Sequence, residues 1–235
     1  MKITIPYGNS FQEFIPKDFN KITILEPHKT PAVKDEKEAI KKSLLNPIGT
    51  QRLSKMIKSK KSTVAIIVND ITRPTPSENF LNALMEELNI AGIKKENIRI
   101  LIATGTHRPN TKEEIASMIG KENLRRFYVE NHDCQQKSKL KYIGKTKNNL
   151  PIVINKIVAE SDIRILTGII VPHHTAGFSG GRKSILPGVA GFDTIKFHHS
   201  LPIREFPNAS AAKSHVCISL CRPCPRSLVS SLFCS

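Results

Sequence analysis

A chain of 235 residues, of which 39% are apolar, is long enough to bury a hydrophobic core as one large domain or two small ones. No apolar run approaches the length that crosses a bilayer, and the opening residues MKITIPYGNS lack a signal-peptide hydrophobic segment, so we expect a cytoplasmic protein without a membrane partner. The net charge of +16 leaves nucleic acid, an acidic surface and a phosphorylated small molecule as partner classes. The lysines lack the interleaved aromatic residues that stack bases, which disfavours nucleic acid.

The first part of the chain predicts short elements followed by a buried strand. In chain order, these short elements are strands at 1–6 and 21–25, a helix at 35–46 and a helical turn or two at 52–60. The continuous β-branched run TVAIIV at 63–68 is typical of a strand that is covered on both faces in a parallel sheet.

Strands and helices then alternate. A helix is predicted from an N-cap at Ser77 to Ala91, and the apolar strand IRILIA follows at 98–103. Thr111 and Glu114 have the spacing of a capping box, which predicts another helix start. The remaining predicted elements are short strands at 127–130, 140–144 and 151–155 around a turn at 147–149, a long strand at 162–171 and a helix that begins at Phe192. This alternation predicts an α/β fold with an open, mostly parallel, Rossmann-like sheet and flanking helices.

Three loops carry most of the reactive side chains, and each follows a predicted strand. They are DITRPTP at 70–76, ATGTHRP at 103–109 and the glycine-rich stretch PHHTAGFSGGRK at 172–183. Ligands of open α/β sheets bind where loops leave the carboxyl ends of the strands, so we expect the three loops to meet at one rim. The backbone N–H groups of the glycines in the third loop suit an anion.

Several of these residues also have a purely structural interpretation. Spacing alone leaves open whether Asp70 and Arg73 form a salt bridge that fixes their loop, or whether Arg73 binds a carboxylate or phosphate through two parallel hydrogen bonds. His107 is either a structural histidine or an acid–base group. Lys183 either contacts a phosphate or acts as a nucleophilic or covalently modified amine.

Two further groups are candidate metal ligands. Of the adjacent His198 and His199, which end a predicted helix, we expect one to bind a metal. Cys217, Cys221 and Cys224 have the C-x3-C-x2-C spacing that holds an iron–sulfur cluster in radical enzymes. Such enzymes need a barrel after the motif, and few residues remain here, so we interpret the spacing as a coincidence in a cysteine-rich tail.

Motifs in the three loops occur in the order found in one known family. They are DITRP at 70–74, ATGTHR at 103–108 and PHHTAGFSGGRKSILPGVAG from 172, which leads to HHS at 198–200, and PYG at 6–8 fits the same pattern. With these motifs, the chain resembles the N-terminal domain of nickel-dependent lactate racemases over residues 1–200.

The resemblance implies an isomerase for a 2-hydroxy acid such as lactate, which removes a hydride from C2 and returns it to the other face. The implied cofactor is a nickel pincer nucleotide, a pyridinium-3,5-dithiocarboxylate-type mononucleotide, and proteins that mature this cofactor are implied partners. The roles that the resemblance implies are acid–base catalysis for His107 and His173, active-site contacts for Asp70 and Arg73, covalent attachment of the cofactor for Lys183, further cofactor contacts for Thr106, Ser179, Gly180 and Gly181, and nickel ligation for His199.

The sequence departs from the family at its end. Family members have a second domain that supplies a glutamine and a lysine to hold the substrate, and no position here corresponds to either. Near Leu201 the sequence becomes rich in serine and cysteine and loses any clear period. This change predicts an α/β domain at 1–200 and an irregular tail at 201–235, a product of truncation or a frameshift. We therefore expect an incomplete C-terminal region and an inactive chain. The alternative is a non-catalytic α/β domain that binds a nucleotide or phosphate through the same glycine-rich loop.

Overall fold

The computed structural model describes residues 2–18, 22–23, 31–146, 150–173, 177–200 and 229–234, and it contains two units, Met1–Lys34 and Asp35–Ser235. In the first unit, strands β1 (Ile3–Tyr7) and β2 (Ser10–Phe14) pair as an antiparallel hairpin. Gly8 lies in the connecting turn with a φ of 59°, which favours glycine. The strand predicted at 21–25 falls mostly outside the described residues, and Ile22 and Thr23 are not in a strand.

The second unit contains the alternating strands and helices that the sequence predicts. Its strands are β3 (Val64–Asn69), β4 (Ile98–Ala103), β5 (Tyr128–Asn131), β6 (Leu140–Lys145), β7 (Pro151–Asn155), β8 (Ile163–Ile169), β9 (Pro172–His173), β10 (Gly177–Phe178) and β11 (Val229–Cys234). Its α-helices are α1 (Glu36–Leu45), α2 (Leu53–Met56), α3 (Ser77–Ile90), α4 (Lys112–Ile119), α5 (Lys121–Arg126), α6 (Lys156–Glu160) and α7 (Phe192–His198). In the described part of the chain, none of the helices is long and apolar enough to cross a membrane.

Five strands form one parallel sheet in the order β11-β8-β3-β4-β5. Val64 at the start of β3 lies opposite Ile98 of β4 on one side and Ile163 of β8 on the other. The β-branched residues of these strands favour the extended backbone and pack well on a covered sheet. The predicted open, parallel α/β fold is therefore confirmed.

Alternate side chains of β3 enter two separate hydrophobic layers. Val64, Ile66 and Val68 pack on the face that carries α1, α3 and α4. Ala65 and Ile67 pack on the opposite face, against β7, α6 and the turn at 185–189. Burial on both faces fixes the carboxyl end of β3, where the loop with Asp70 begins.

Helix starts agree with the prediction at α4 and differ at α3. The Thr111 hydroxyl accepts a hydrogen bond from the Glu114 N–H at 3.2 Å, and Glu114 Oε2 accepts one from the Thr111 N–H at 2.8 Å, so the predicted capping box is confirmed. At α3, the prediction of Ser77 as the N-cap is wrong, because Pro76 occupies that position. A helix start tolerates proline, which has no N–H that needs a partner.

The sequence did not predict β2 in the first unit, and the elements of the second unit that it did not predict are short. The helices α5 and α6 have six and five residues, and β9 and β10 have two each, which is too little for a periodic pattern. The predicted turn at 147–149 lies outside the described residues. Within the tail predicted to be irregular, β11 runs parallel to β8 and pairs with the main chain along that strand's edge. Residues 201–228 lie outside the described residues.

Helix α3 offers a direct test of the core. Leu84 is fully buried and packs on the sheet, whereas Ile90 in the same helix is 63% exposed. We expect Leu84→Ala to lower the free energy of unfolding by about 2–5 kcal/mol, because it leaves a cavity in a packed layer. Urea denaturation measures this change. Ile90→Ala is the matched control and, apart from the effect of helix propensity, should change the free energy of unfolding by less than about 0.5 kcal/mol. Equal effects of the two substitutions would contradict the assigned core.

Candidate active site

Loops that leave the carboxyl ends of β3, β4 and β8 enclose one cleft, with a volume of about 180 Å³. The predicted site residues that line it are Asp70, Arg73, Thr106, His107, His173, Ser179, Gly180, Lys183 and His199. Gly181 is buried next to Gly180 and does not line the cleft. The fold therefore brings the predicted residues together, whereas their chemical roles remain predictions.

Asp70 and His107 form a pair at one side of the cleft. His107 Nδ1 lies 2.5 Å from Asp70 Oδ2, and the Asp70 side chain is 4% exposed, compared with 49% for His107. The other carboxylate oxygen, Oδ1, accepts hydrogen bonds from the Thr72 hydroxyl at 2.6 Å and the Thr72 N–H at 3.2 Å. Because the carboxylate holds the ring proton on Nδ1, Nε2 of His107 keeps its lone pair. An imidazole held in this way can accept a proton at Nε2.

Arg73 lines the cleft beside this pair. In the described part of the chain, the ion-pair partner of Asp70 is His107, so the predicted alternative of a salt bridge between Asp70 and Arg73 is not formed. Arg73 Nη1 instead donates to the carbonyl of Thr72 at 3.2 Å and to its hydroxyl at 3.0 Å. A guanidinium has five N–H donors, so these contacts are compatible with a further contact to an anion in the cleft.

Ser179 ties the third loop to the end of β8. Its hydroxyl donates to the Ile169 carbonyl at 2.7 Å and accepts from the Val171 N–H at 2.8 Å, and its own N–H donates to the Val171 carbonyl at 2.9 Å. The Ser179 hydroxyl is therefore used within the loop. His173 lies on β9 opposite Gly177 of β10. Its neighbour His174 lies outside the described residues.

The glycine turn leads directly to Lys183. Gly180 and Gly181 have φ values of 76° and 50°, in the left-handed region where a side chain is strained. The Lys183 N–H donates to the Gly180 carbonyl at 3.1 Å inside the 3-10 turn Gly181–Ser184. These glycines are what allow the chain to reverse and present Lys183 to the cleft.

The two histidines at the end of α7 have different environments. His199 lines the cleft, and its Nδ1 lies 3.0 Å from the Ile195 carbonyl, which places the ring proton on Nδ1 and leaves the Nε2 lone pair for a ligand. The His198 ring meets the His199 ring edge to face, with centroids 5.0 Å apart. Burial, together with the neighbouring His199 and Lys183, lowers the pKa of His198 to about 4. His198 is therefore neutral at physiological pH.

Protein-only metal centres are not found in the part of the chain that the structure describes. Its residues contain no group of three or more His, Cys, Asp or Glu side chains that could hold a metal ion. The cysteines at 217, 221 and 224 lie outside the described residues.

Sequence reasoning missed a contact between two of the loops. Ala103, Thr104 and Gly105 line the cleft from the predicted loop at 103–109, and the lining residues outside the three predicted loops are Asn69, Ser184, Pro187 and Gly188. The Gly105 N–H donates to the Gly188 carbonyl at 2.9 Å. This bond joins the loop at 103–109, called the His107 loop below, to the third loop and the turn that follows it, residues 172–190, called the Lys183 loop. A Cβ added at Gly188 would lie 2.4 Å from the Ser184 carbonyl oxygen. The signal was the run LPGVAG, which belongs to the quoted motif but does not reveal the close approach.

Comparisons with known proteins agree on one family. The chain matches the model of the lactate racemase N-terminal domain over residues 7–211. A curated lactate racemase from Thermoanaerobacterium thermosaccharolyticum is 38% identical over 200 residues, which are 84% of this chain and 46% of that protein. A lactate racemase from Lactiplantibacillus plantarum is 40% identical over 179 residues, or 76% of this chain and 41% of that protein.

Solved structures agree with the sequence matches. The lactate racemase apoprotein from T. thermosaccharolyticum superposes with a TM-score of 0.82 at 33% identity, over 97% of this chain and 54% of that chain. A Thermotoga maritima protein superposes with a TM-score of 0.62 at 26% identity, over 80% of this chain and 46% of that chain.

The matches also define how much of the relatives this chain represents. It spans about half the length of the curated relatives that it matches. The family match continues to residue 211, past the domain boundary predicted at residue 200, which stays a prediction. Both the family match, which covers most of the chain, and the identity to the curated relatives lead to one conclusion: the chain belongs to the lactate racemase family, as its N-terminal domain.

Proposed function

We propose that this chain is the cofactor-carrying domain of a nickel-pincer-dependent racemase or epimerase that acts on a 2-hydroxy acid such as lactate. The observation that carries the proposal is the single cleft in which the Asp70–His107 pair, Lys183 and His199 occur together. Membership of the lactate racemase family supports the same reaction class. The activity of the whole enzyme is part of the proposal, because this chain corresponds to about half of its relatives.

The part of the reaction that these residues perform is proton transfer. Racemisation of a 2-hydroxy acid by hydride removal at C2 requires that the 2-hydroxyl group lose a proton and later regain it. His107 can take that proton at Nε2, because Asp70 keeps the Nδ1 proton in place. His173, from a different loop of the same cleft, is the second acid–base group, because the hydroxyl is oriented differently in the two enantiomers. Arg73 binds the substrate carboxylate or the cofactor phosphate.

The cleft residues fit the proposed cofactor. When bound, the nickel pincer nucleotide supplies the hydride acceptor that the reaction needs. Lys183 offers an amine for covalent attachment, and His199 offers an Nε2 lone pair for nickel. The left-handed turn at Gly180 and Gly181 supports binding of the nucleotide phosphate by main-chain N–H groups. Maturation proteins would deliver the cofactor in the cytoplasm, the location that the sequence predicts.

Nickel content tests the metal assignment directly. The chain is produced together with proteins that mature the cofactor, and the purified protein is analysed by inductively coupled plasma mass spectrometry. We expect stoichiometric nickel in the unmodified chain and less than about one-tenth of it in His199→Ala, because His199 is the only protein ligand in the proposal. His198→Asn is the matched control on the same helix and should keep most of the nickel.

Two outcomes would redirect the assignment. Nickel retained at full occupancy in His199→Ala would show that another residue is the ligand. Tight binding of a nucleotide without nickel, under conditions that load a curated relative, would favour the alternative of a non-catalytic nucleotide-binding domain.

A further inference from the structure

A buried histidine outside the cleft, His132, lies beneath two of the loops that form it. It is 3% exposed and does not line the cleft, so the proposed chemistry does not use it. Its main-chain N–H donates to the Ile102 carbonyl at 3.0 Å, and its main-chain carbonyl accepts from the Thr104 hydroxyl at 2.5 Å. These bonds fix the end of β4 and the first residue of the loop that continues to His107.

The side chain of His132 reaches the loop that carries Lys183. Its Nε2 lies 2.9 Å from the Ala190 carbonyl, and its Nδ1 lies 3.2 Å from Asn155 Nδ2. Ala190 ends the turn that contains Gly188, whose N–H donates to the Lys183 carbonyl at 3.1 Å. His132 therefore connects three elements: its main chain bonds to the end of β4, and its imidazole bonds to the end of β7 and to Ala190 after the Lys183 turn.

The start of α6 determines which ring nitrogen carries the proton. Asn155 is the N-cap of α6, and its Oδ1 accepts from the Ile157 N–H at 2.9 Å. The Asn155 amide nitrogen must therefore face His132 Nδ1, which can only accept from it, and Nε2–H is left to donate to Ala190. The neutral Nε2–H form satisfies all of these contacts. A doubly protonated ring would set its Nδ1–H against the N–H groups of Asn155.

We propose that His132 is a positioning residue whose neutral form holds the His107 loop and the Lys183 loop in register through its hydrogen bond to Ala190, and whose protonation loosens that link. The inference stands on contacts that are present without any cofactor. Its consequence for cofactor attachment rests on the proposed function.

The charges around His132 set the direction of the pH dependence. Burial lowers its pKa from the ordinary value of 6.5, and the bond to Ala190 and the nearby carboxylates of Asp133 and Glu130 offset only part of this effect. The groups that face the ring from β7 and from the turn, Asn155 and Ala190, are uncharged. The unfolded chain therefore takes up the proton at a higher pH than the folded chain. The stabilisation is complete above 6.5 and is lost as the pH falls below that value, through the lowered pKa.

Two conservative substitutions separate positioning from simple packing. The amide nitrogen of glutamine reaches the position of Nε2, so His132→Gln can keep the bond to Ala190 but cannot be protonated. Asparagine reaches only the position of Nδ1, so His132→Asn can keep the bond to Asn155 and loses the one to Ala190. Hydrogen exchange of the Gly105 amide, which bonds to Gly188, reports on the contact between the loops, and the Leu84 amide in α3 reports on global stability.

At about pH 7.5, we expect the protection factor of the Gly105 amide to fall about tenfold or more in His132→Asn and to stay within about threefold of the unmodified chain in His132→Gln. Between about pH 7.5 and pH 5, it should fall in the unmodified chain and stay level in His132→Gln, after correction for intrinsic exchange. Equal losses in both variants, or equal losses at Gly105 and Leu84, would reduce His132 to a packing residue and overturn the proposal.

A second measurement links the contact to Lys183. The rate of cofactor attachment, measured by intact mass, should fall at acid pH in the unmodified chain. The fall in this rate should be smaller in His132→Gln, because glutamine is not protonated. If no attachment occurs in any variant, the proposed function fails while the exchange data still decide the role of His132. If attachment occurs with the same pH profile in both proteins, the positioning proposal fails and the proposed function stands.

Discussion

Lys183→Ala is expected to abolish covalent retention of the cofactor. The Lys183 side chain lines the cleft from the turn that Gly180 and Gly181 make possible, and alanine offers no amine through which a cofactor could be attached. After incubation with the mature cofactor, intact mass spectrometry under denaturing conditions should detect an adduct on the unmodified chain. The variant should have no adduct, which is the largest effect we expect from any single substitution.

Two further variants test whether the loss of the adduct is specific to the amine of Lys183. Lys196→Ala removes an exposed lysine of α7 that does not line the cleft, and it should leave the adduct yield unchanged. Lys183→Arg keeps the positive charge but not the amine, so it should also lose the adduct while retaining reversible binding of the nucleotide. An undiminished adduct in Lys183→Ala would mean that another group is the tether.

Asp70→Asn is expected to cause the second largest effect, because it would move the ring proton of His107 from Nδ1 to Nε2. Two donors of Thr72 hold Asp70 Oδ1, so an asparagine at this position would keep its oxygen there and turn its N–H2 group toward His107 Nδ1. The ring proton would then move to Nε2, and the imidazole could no longer accept the substrate proton. Loss of a positioned general base typically lowers a rate by about 10²–10⁴-fold. We expect a fall of this size in kcat with little change in KM.

Two measurements test this prediction. Long-range ¹H–¹⁵N spectra of the chain alone should detect the ring proton of His107 on Nδ1 in the unmodified protein and on Nε2 in Asp70→Asn. Chiral chromatography should detect the loss of lactate interconversion in the domain joined to the C-terminal half of the T. thermosaccharolyticum relative. Asp193→Asn, an exposed carboxylate on α7, is the control. An unchanged tautomer in Asp70→Asn would refute the orienting role of Asp70.

Local chemistry explains how much of the fold the sequence could predict. The runs at β3 and β4 are rich in valine and isoleucine, so each strand can be recognised without knowledge of its neighbours. The capping box of α4 needs only two residues three positions apart. By contrast, α5, α6 and the pair β9–β10 are too short to have a period of their own, and tertiary contacts decide their structure.

The candidate site was predictable to the extent that its residues occur in motifs. The parallel order of β8, β3 and β4 brings their three loops to one rim, so spacing along the chain was enough to group Asp70, His107 and Lys183. His132 had no such signal. Its partners Asn155 and Ala190 are 23 and 58 positions away, and no local pattern encodes contacts over such separations.

The pairing of β3 with β8 also determines when the site can exist during synthesis. Thr63 and Asp162, which are bonded at the start of these strands, are 99 positions apart, whereas β4 follows β3 after one helix. Contacts between distant residues form late, because the intervening chain must first be made and its loop closed. On the ribosome, Asp70 and His107 can meet before the Lys183 loop has been translated. In the proposed function, attachment of the cofactor therefore has to wait until the Lys183 loop has been translated. A nascent chain that stalls before β8 exposes the edge of β3 to mispairing.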